Sequence, residues 1–218
     1  MIKELKIKLK NKKQNILCVI LAGGKGSRLD NKGKFAEKLL NMSLLEHVYN
    51  RIIRQTNLVA INFKKNSPKN FNLNAKTIYD YFKEDIGPLA GIHSALKYAS
   101  LPQFGSNNLV CTVPVDTPFI PLDLIEKLQQ EFDPKKDDLV VSKSNNRIHP
   151  TIALWKSSLL IKLEKSINNN IRKIDLFTKD LSIATAEWEC RIYDPFLNIN
   201  NYEDLKTAEN MIIKKIFN

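Results

Sequence analysis

Residues 16–34, ILCVILAGGKGSRLDNKGK, decide the fold class of this chain. The segment opens with a continuous apolar run over residues 16–22, which ends at two glycines. A short apolar run that stops at a turn signal predicts a strand buried on both faces, as in a parallel sheet covered by helices. A run of this length is too short to cross a bilayer.

Strand-like runs and helical patterns alternate along the rest of the chain, which predicts an α/β fold with a mostly parallel sheet. Ser43 and Glu46 have the spacing of a capping box at the start of the first predicted helix. The predicted strands cover residues 16–22, 58–63, 76–78, 109–115, 139–142 and 151–155. The predicted helices cover residues 43–55, 89–99, 121–132 and 202–216.

The 218 residues suffice for one sizeable core, and we expect a basic leader at residues 1–14 and a single domain at residues 15–218. The leader lacks the apolar core of a secretory signal, so we expect a cytoplasmic location without membrane contact. Cys18, Cys111 and Cys190 form no CxxC pair, and this favours reduced, structural cysteines over a zinc or redox site.

The net charge of +11 points to a polyanionic partner, either a nucleotide, a phosphate compound or nucleic acid. Much of the excess lies in the lysines of the leader, and the remainder is scattered among asparagines. No groove-reading or RNA-stacking module is visible in the sequence, so a dedicated nucleic-acid surface is not expected.

Four polar segments follow predicted strands, where an open parallel sheet binds its ligands. They are LAGGKGSRLDNKGK, DYFKEDIGPLAG, VPVDTPFIP and LNINNYEDL. The first lacks the third glycine of GxGxxG, and Phe35 stands where a Walker A loop needs Ser or Thr. Two readings remain for it, a tight turn with solvated lysines or a phosphate loop, and the other three segments favour the phosphate loop.

Asp116 lies at the end of a predicted strand in VPVDTPFIP, between Pro114 and Pro118. A carboxylate there is suited to Mg²⁺, which takes one or two carboxylates and keeps substrate phosphates and waters as its other ligands. An Asx turn is the alternative, because Asp-Thr-Pro is common in loops.

Taken in order, LAGG with a basic loop, GPLAG, DTPFIP, HPTIAL and NINNYEDL resemble the molybdenum cofactor guanylyltransferase family from about residue 16 to the C-terminus. LAGG alone is shared by many nucleotidyltransferases, whereas GPLAG with DTPFIP is typical of those acting on molybdenum cofactor. The resemblance implies a three-layer α/β/α Rossmann-like fold of the nucleotide-diphospho-sugar transferase type.

The same resemblance implies roles for individual residues. Lys34 and Asp116 are implied as catalytic, and Asp116 as the Mg²⁺ ligand. Arg28 is a further catalytic candidate because it is one of the cations of the basic loop, and Lys25 is its alternative. The residues implied in nucleotide binding are Leu21, Ala22, Gly23, Gly24, Lys34, Asn62, Asp80 and Asp116. Asn198 and Asn200 are implied near the metal and the pterin substrate. His149, which precedes Pro150 at the start of a predicted strand, is a further candidate on the pterin side, with a structural role as an equal alternative. His47 and His93 lie on predicted helices, and we interpret both as structural.

One position departs from the family pattern, because Gly33 precedes Lys34 where the family has Asp. The implied reaction transfers GMP from GTP to molybdenum-bearing molybdopterin with Mg²⁺ as cofactor. The molybdenum-insertion protein and molybdoenzyme chaperones are further candidate partners. A CTP-using relative, for molybdenum cofactor or for a sugar or alcohol substrate, is the nearest alternative. A basic nucleotide- or RNA-binding protein on a degenerate transferase fold is the alternative outside enzymes.

Overall fold

The computed structural model describes residues 15–23, 33–65, 67, 72–82, 84, 86–105, 108–190 and 192–214. The strands are β1 Leu17–Leu21, β2 Lys38–Leu39, β3 Met42–Ser43, β4 Val59–Phe63, β5 Lys76–Tyr79, β6 Leu109–Pro114, β7 Leu139–Ser144, β8 Arg147–Lys156 and β9 Ile183–Trp188. The α-helices are α1 Leu44–Ile52, α2 Pro88–Ala99, α3 Leu124–Gln130, α4 Leu160–Asn168, α5 Ile174–Thr178 and α6 Tyr202–Ile213. The predicted leader lies outside the described residues.

Seven of these strands form one sheet in the order β5-β4-β1-β6-β8-β7-β9. β8 runs antiparallel to both of its neighbours, and the other pairs are parallel. The mostly parallel α/β fold predicted from the sequence is therefore confirmed. The chain leaves β1 towards β4 and β5 and then returns to β6 on the other side of β1. The gap between β1 and β6 is thus a topological switch point, where such sheets bind ligands.

Helices cover both faces of the sheet, which makes the three-layer arrangement. Alternate residues of β1 point to opposite faces, so Cys18 and Ile20 join one core with residues of α1 and α3. Leu17 and Val19 join a second core with residues of α2, α4 and α5. Both faces of β1 are buried, as the continuous apolar run predicts.

The predicted capping box at α1 is confirmed. The Ser43 side chain accepts from the Glu46 N–H at 3.2 Å, and the Glu46 carboxylate accepts from the Ser43 N–H at 2.7 Å. The helix ends at Ile52, before the predicted residue 55, and turns follow it. Backbone hydrogen bonding to Ser43 holds the pKa of Glu46 below its usual range.

The helix predicted over residues 121–132 is present, but it is shorter than predicted and does not begin at Pro121. Pro121 instead accepts a backbone hydrogen bond from Leu124 at 3.3 Å in a turn, and α3 begins only after Asp123. The sequence analysis also missed α4, α5, β9 and the short β2–β3 hairpin. No helix within the described residues combines the length and the apolar character needed to span a membrane.

Candidate functional site

A cavity of about 910 Å³ opens at the carboxyl ends of the central strands. Residues that follow β1, β4, β5 and β6 line it, together with the first turns of α2 and the loop before α6. Its lining includes the predicted residues Leu21, Gly23, Lys34, Asn62, Asp80, Asp116 and Asn198. Residues of all four polar segments therefore meet at one edge of the sheet, as the sequence predicts. Gly24 and Arg28 lie outside the described residues.

Lys34 and Asp116 form an ion pair at the switch point. The Lys34 ammonium donates to Asp116 Oδ2 at 2.6 Å, and both side chains are mostly buried. The same ammonium donates to Asn200 Oδ1 at 2.8 Å and lies 3.4 Å from Asn198 Oδ1. Three oxygens thus surround one cationic group, and they come from residues 82, 164 and 166 positions away from Lys34 in sequence.

Backbone hydrogen bonds explain why these groups meet. Val115 donates to the carbonyl of Leu21 at 3.1 Å, so the loop after β6 stays beside the end of β1. Ile199 donates to the carbonyl of Asp116 at 2.8 Å, which joins the late loop to the same point. In sequence, Asn198 and Asn200 alternate with apolar residues, a pattern that also fits a strand with one solvated face, but in the structure they lie in a loop. Asn201 then caps α6 through a reciprocal box with Asp204.

Gly33 has a backbone φ of 89°, in the region that favours glycine. A Cβ there would lie 2.6 Å from the Phe35 ring. The family's usual aspartate would therefore be strained at this position, and the departure in sequence matches the local backbone. Gly33 directly precedes the 3-10 turn Lys34–Ala36, so this conformation sets the direction from which Lys34 enters the site.

Asn62, within β4, and Asp80, directly after β5, lie at another part of the cavity wall. Asn62 is 1% exposed and Asp80 is 8% exposed. The Nδ2 group of Asn62 has no hydrogen-bond partner among the described residues. A buried amide donor of this kind is costly unless a ligand accepts from it. Apolar Phe82, Ile86 and Pro88 line the cavity nearby.

Glu84 and Asp85 are the other carboxylates of the segment DYFKEDIGPLAG, in which Asp80 lies. Glu84 lines the cavity, but its side chain is 81% exposed and forms a 3.5 Å ion pair with Arg172. Asp85 lies outside the described residues. Among the described carboxylates of this segment, Asp80 is thus the buried one, and its backbone N–H donates to the Phe63 carbonyl at 2.9 Å.

His149 lies in a network beside the cavity. Ser144 donates to Asp194 at 2.7 Å, so its hydroxyl accepts from His149 Nε2 at 2.8 Å. Burial lowers the pKa of His149, with a further contribution from Arg147, while Asp194 opposes the shift. Thr151, two residues further on, contributes to the cavity lining. This geometry favours the structural alternative for His149, and its pterin role stays a prediction.

The other two histidines make structural contacts. His47 Nε2 contacts the Leu39 carbonyl at 2.9 Å, and His93 Nε2 contacts Glu164 at 2.9 Å. Burial lowers the pKa of both imidazoles, and the Glu164 carboxylate opposes this for His93. His93 also packs against Phe82, 4.8 Å between ring centroids, and so supports the cavity wall from behind.

The sequence analysis missed some lining residues, among them Lys64, Lys65 and Gly91. Lys64 and Lys65 directly follow β4, so their position at the carboxyl end of a predicted strand could have identified them. Gly91 belongs to the quoted GPLAG motif but had no assigned role. A Cβ at Gly91 would lie 2.9 Å from Asn62 Oδ1 and 3.0 Å from Leu21 Cδ2. Gly91 therefore lets α2 approach the side chain of Asn62.

We expect Gly91→Ala to weaken nucleotide binding roughly tenfold, the effect of disturbing one buried hydrogen-bonding group. The change should not lower helix stability, because alanine is the better helix former. Isothermal titration with nucleotide measures the loss. In an Asn62→Ala background the displaced amide is gone, so Gly91→Ala should then have little further effect. An equal loss in both backgrounds would contradict this contact.

The fold and the cavity define an α/β protein of the class that binds ligands at the switch point of an open sheet, with an ion pair at one part of the cavity and a buried amide and carboxylate at another. The sequence profile of the MobA-like NTP transferase domain matches residues 18–180. The chain is 32% identical over 198 residues to a molybdenum cofactor guanylyltransferase of Rhodopseudomonas palustris, covering 90% of this chain and 94% of that protein. The guanylyltransferase of Pasteurella multocida is 32% identical, with 87% and 97% covered.

Solved structures agree with this relationship. Molybdopterin-guanine dinucleotide biosynthesis protein A from Archaeoglobus fulgidus superposes with a TM-score of 0.71 at 25% identity, covering 91% of this chain and all of that one. A 4-diphosphocytidyl-2C-methyl-D-erythritol synthase from Anaerococcus prevotii has a TM-score of 0.67 at 16% identity, with 94% and 99% covered, and shares the fold alone. The chain belongs to the molybdenum cofactor guanylyltransferase family and is a nucleotidyltransferase.

Proposed function

We propose that this protein transfers GMP from GTP to the terminal phosphate of molybdenum-bearing molybdopterin. A phosphate oxygen of the pterin substrate attacks the α-phosphorus of GTP. The bond between that phosphorus and the oxygen it shares with the β-phosphorus breaks, and the oxygen leaves with pyrophosphate. The products are the guanine dinucleotide cofactor and pyrophosphate. The observation that carries the proposal is one cavity with a cationic, oxygen-rich end at Asp116 and a buried carboxylate and amide at the other end.

The guanine base is proposed to bind at Asp80 and Asn62. Guanine presents two neighbouring N–H donor groups beside the O6 acceptor. The Asp80 carboxylate is suited to accept from the donors, and the buried Asn62 Nδ2 is suited to donate to O6. Leu21 and Gly23 lie between this end and the ion pair, where the nucleotide would pass. Relatives named for cytidylyl chemistry share only the fold, so the CTP alternative has weaker support.

Mg²⁺ is proposed as the cofactor, with Asp116 as its carboxylate ligand. Three side-chain oxygens already converge on one cationic group, and oxygen ligands of this type fit a hard cation. Mg²⁺ typically takes one or two protein carboxylates and keeps substrate phosphates and waters as its other ligands, so Asp116 would suffice as the carboxylate of such a site. When bound, Mg²⁺ would neutralise charge on the phosphates.

No residue need act as a general base, because the attacking phosphate is already ionised at neutral pH. Catalysis then depends on alignment and on charge neutralisation. Lys34 is proposed to contact the triphosphate, and Asn198 and Asn200 to orient the acceptor phosphate of the pterin. Three further points stay predictions from the sequence. They are the catalytic role of Arg28, the cytoplasmic location, and the molybdenum-insertion protein and molybdoenzyme chaperones as partners.

A thermal-shift comparison of GTP, CTP and ATP with Mg²⁺ tests the proposal. GTP at about one hundred times its Kd should stabilise the fold by ~2.7 kcal/mol, or about 5–10 °C in Tm. CTP and ATP at the same concentration should shift Tm much less. Pyrophosphate release should then require both GTP and molybdenum-bearing molybdopterin. Equal shifts by all three nucleotides, or RNA binding with steep salt dependence and no turnover, would overturn it.

A further inference from the structure

The contacts of Lys34 carry an inference about how the metal reaches its site. The Lys34 ammonium lies at hydrogen-bond distance from Asp116 Oδ2 and Asn200 Oδ1, with Asn198 Oδ1 at 3.4 Å. We define these three oxygens as the oxygen cage. One carboxylate and two amide oxygens are ligands that suit a divalent hard cation as well as an ammonium group.

The cage cannot hold both cations in this arrangement. Side-chain exposure is only 12% for Lys34 and 17% for Asp116, so little water is available to screen two positive charges. The charged oxygen of the cage, Asp116 Oδ2, already lies 2.6 Å from the ammonium, and the other oxygen of that carboxylate lies 3.5 Å from the Thr117 hydroxyl. Lys34 and a divalent cation therefore compete for the same oxygens.

Lys34 is also attached in a way that permits a second position. It is the first residue of a short 3-10 turn, and its long side chain lines the cavity beside the path of the nucleotide. Lysine is a flexible point charge with three donors, so it can exchange carboxylate oxygens for phosphate oxygens. A triphosphate in the cavity offers such oxygens and brings its own divalent cation.

We propose that Lys34 holds the oxygen cage in the nucleotide-free protein and leaves it when the triphosphate binds, so that the divalent cation enters with the nucleotide. This inference rests on the metal assignment made under Proposed function. It gives Lys34 two successive partners, Asp116 before binding and the phosphates after it. Free divalent metal should accordingly bind weakly to the nucleotide-free protein.

The competition is tested by titrating nucleotide-free protein with Mn²⁺ and measuring binding from the electron paramagnetic resonance signal of the ion. This measurement does not depend on turnover. In nucleotide-free protein, Lys34→Gln and Lys34→Met should bind Mn²⁺ roughly tenfold or more tightly than wild type, because a unit charge has left the cage. Circular dichroism verifies that the two variants fold. Lys65→Gln is the matched control. Lys65 lines the same cavity, whereas the ammonium held by the cage oxygens is that of Lys34. It should leave Mn²⁺ affinity within about twofold of wild type.

Adding Asp116→Asn to Lys34→Gln should remove the gained Mn²⁺ affinity, which locates it at the cage. Unchanged or weaker Mn²⁺ binding in both Lys34 variants would overturn the proposal, and so would an equal gain in Lys65→Gln. The GTP thermal shift of wild type separates this result from the proposed reaction. A Lys34 gain without a GTP shift would support the competition and reject GTP as substrate, whereas a GTP shift without the gain would reject only the competition.

Discussion

Asp116→Asn should lower the rate of pyrophosphate release by about a thousandfold while leaving the fold intact. A loss of this size is expected because the substitution removes the proposed carboxylate ligand of Mg²⁺, and with it the stabilisation of the charge that develops on the phosphates. Asparagine has the same shape, and the backbone bond from Ile199 to the carbonyl of residue 116 does not depend on the side chain. A steady-state assay with saturating GTP and molybdenum-bearing molybdopterin measures the effect.

Asp123→Asn is the matched control for this substitution. Asp123 Oδ1 accepts from the Trp188 indole at 3.0 Å, away from the cavity, and an asparagine can keep that bond. The control should retain wild-type turnover and Tm. If Asp116→Asn kept more than about a tenth of wild-type activity, the charge of Asp116 would not serve in catalysis, since a single lost electrostatic contact of this kind costs a hundredfold or more.

The sequence was informative where a residue's environment follows from its position on a strand. The apolar run of β1 must be buried on both sides, and polar residues after parallel strands must meet at one edge, so the fold and the neighbourhood of Asp116 could be predicted. The strand β9 was missed because it is an edge strand that pairs only with β7. Its inward-facing residues include the small Ala184 and Ala186, which give a weak alternating pattern.

Other features depend on distant contacts that no local pattern contains. The role of Gly91 follows from how closely α2 approaches Asn62, and this distance is a property of the packed helix and sheet. Asn198 and Asn200 alternate with apolar residues and so suggested a strand face as an alternative. Their loop position results from the hydrogen bond of Ile199 to Asp116, between segments more than 80 residues apart. By contrast, α4 buries Leu163 and Ile167 at helical spacing, and this signal was present in the sequence.

Nucleotide choice should depend most strongly on Asp80, and inosine triphosphate offers a matched test of that dependence. Inosine lacks the 2-amino group of guanine, so wild type should prefer GTP to ITP by the strength of one hydrogen bond to a buried carboxylate. Glu84→Gln is the control, because Glu84 is an exposed carboxylate of the same segment. It should preserve both the activity with GTP and the preference over ITP.

Asp80→Asn should lower kcat/KM for GTP by about 10²–10⁴, since two charge-assisted hydrogen bonds of ~1.5–3 kcal/mol each are at stake. The asparagine presents an N–H₂ group where guanine presents its own donors, and at 8% exposure little water can compensate. ITP should lose less than GTP, so the two nucleotides should become nearly equivalent substrates. The contrary outcome is that Asp80→Asn lowers kcat/KM for GTP and ITP equally, so that their ratio stays at its wild-type value. Asp80 would then act on the nucleotide without contacting the 2-amino group. The recognition of guanine would have to be assigned to another part of the cavity.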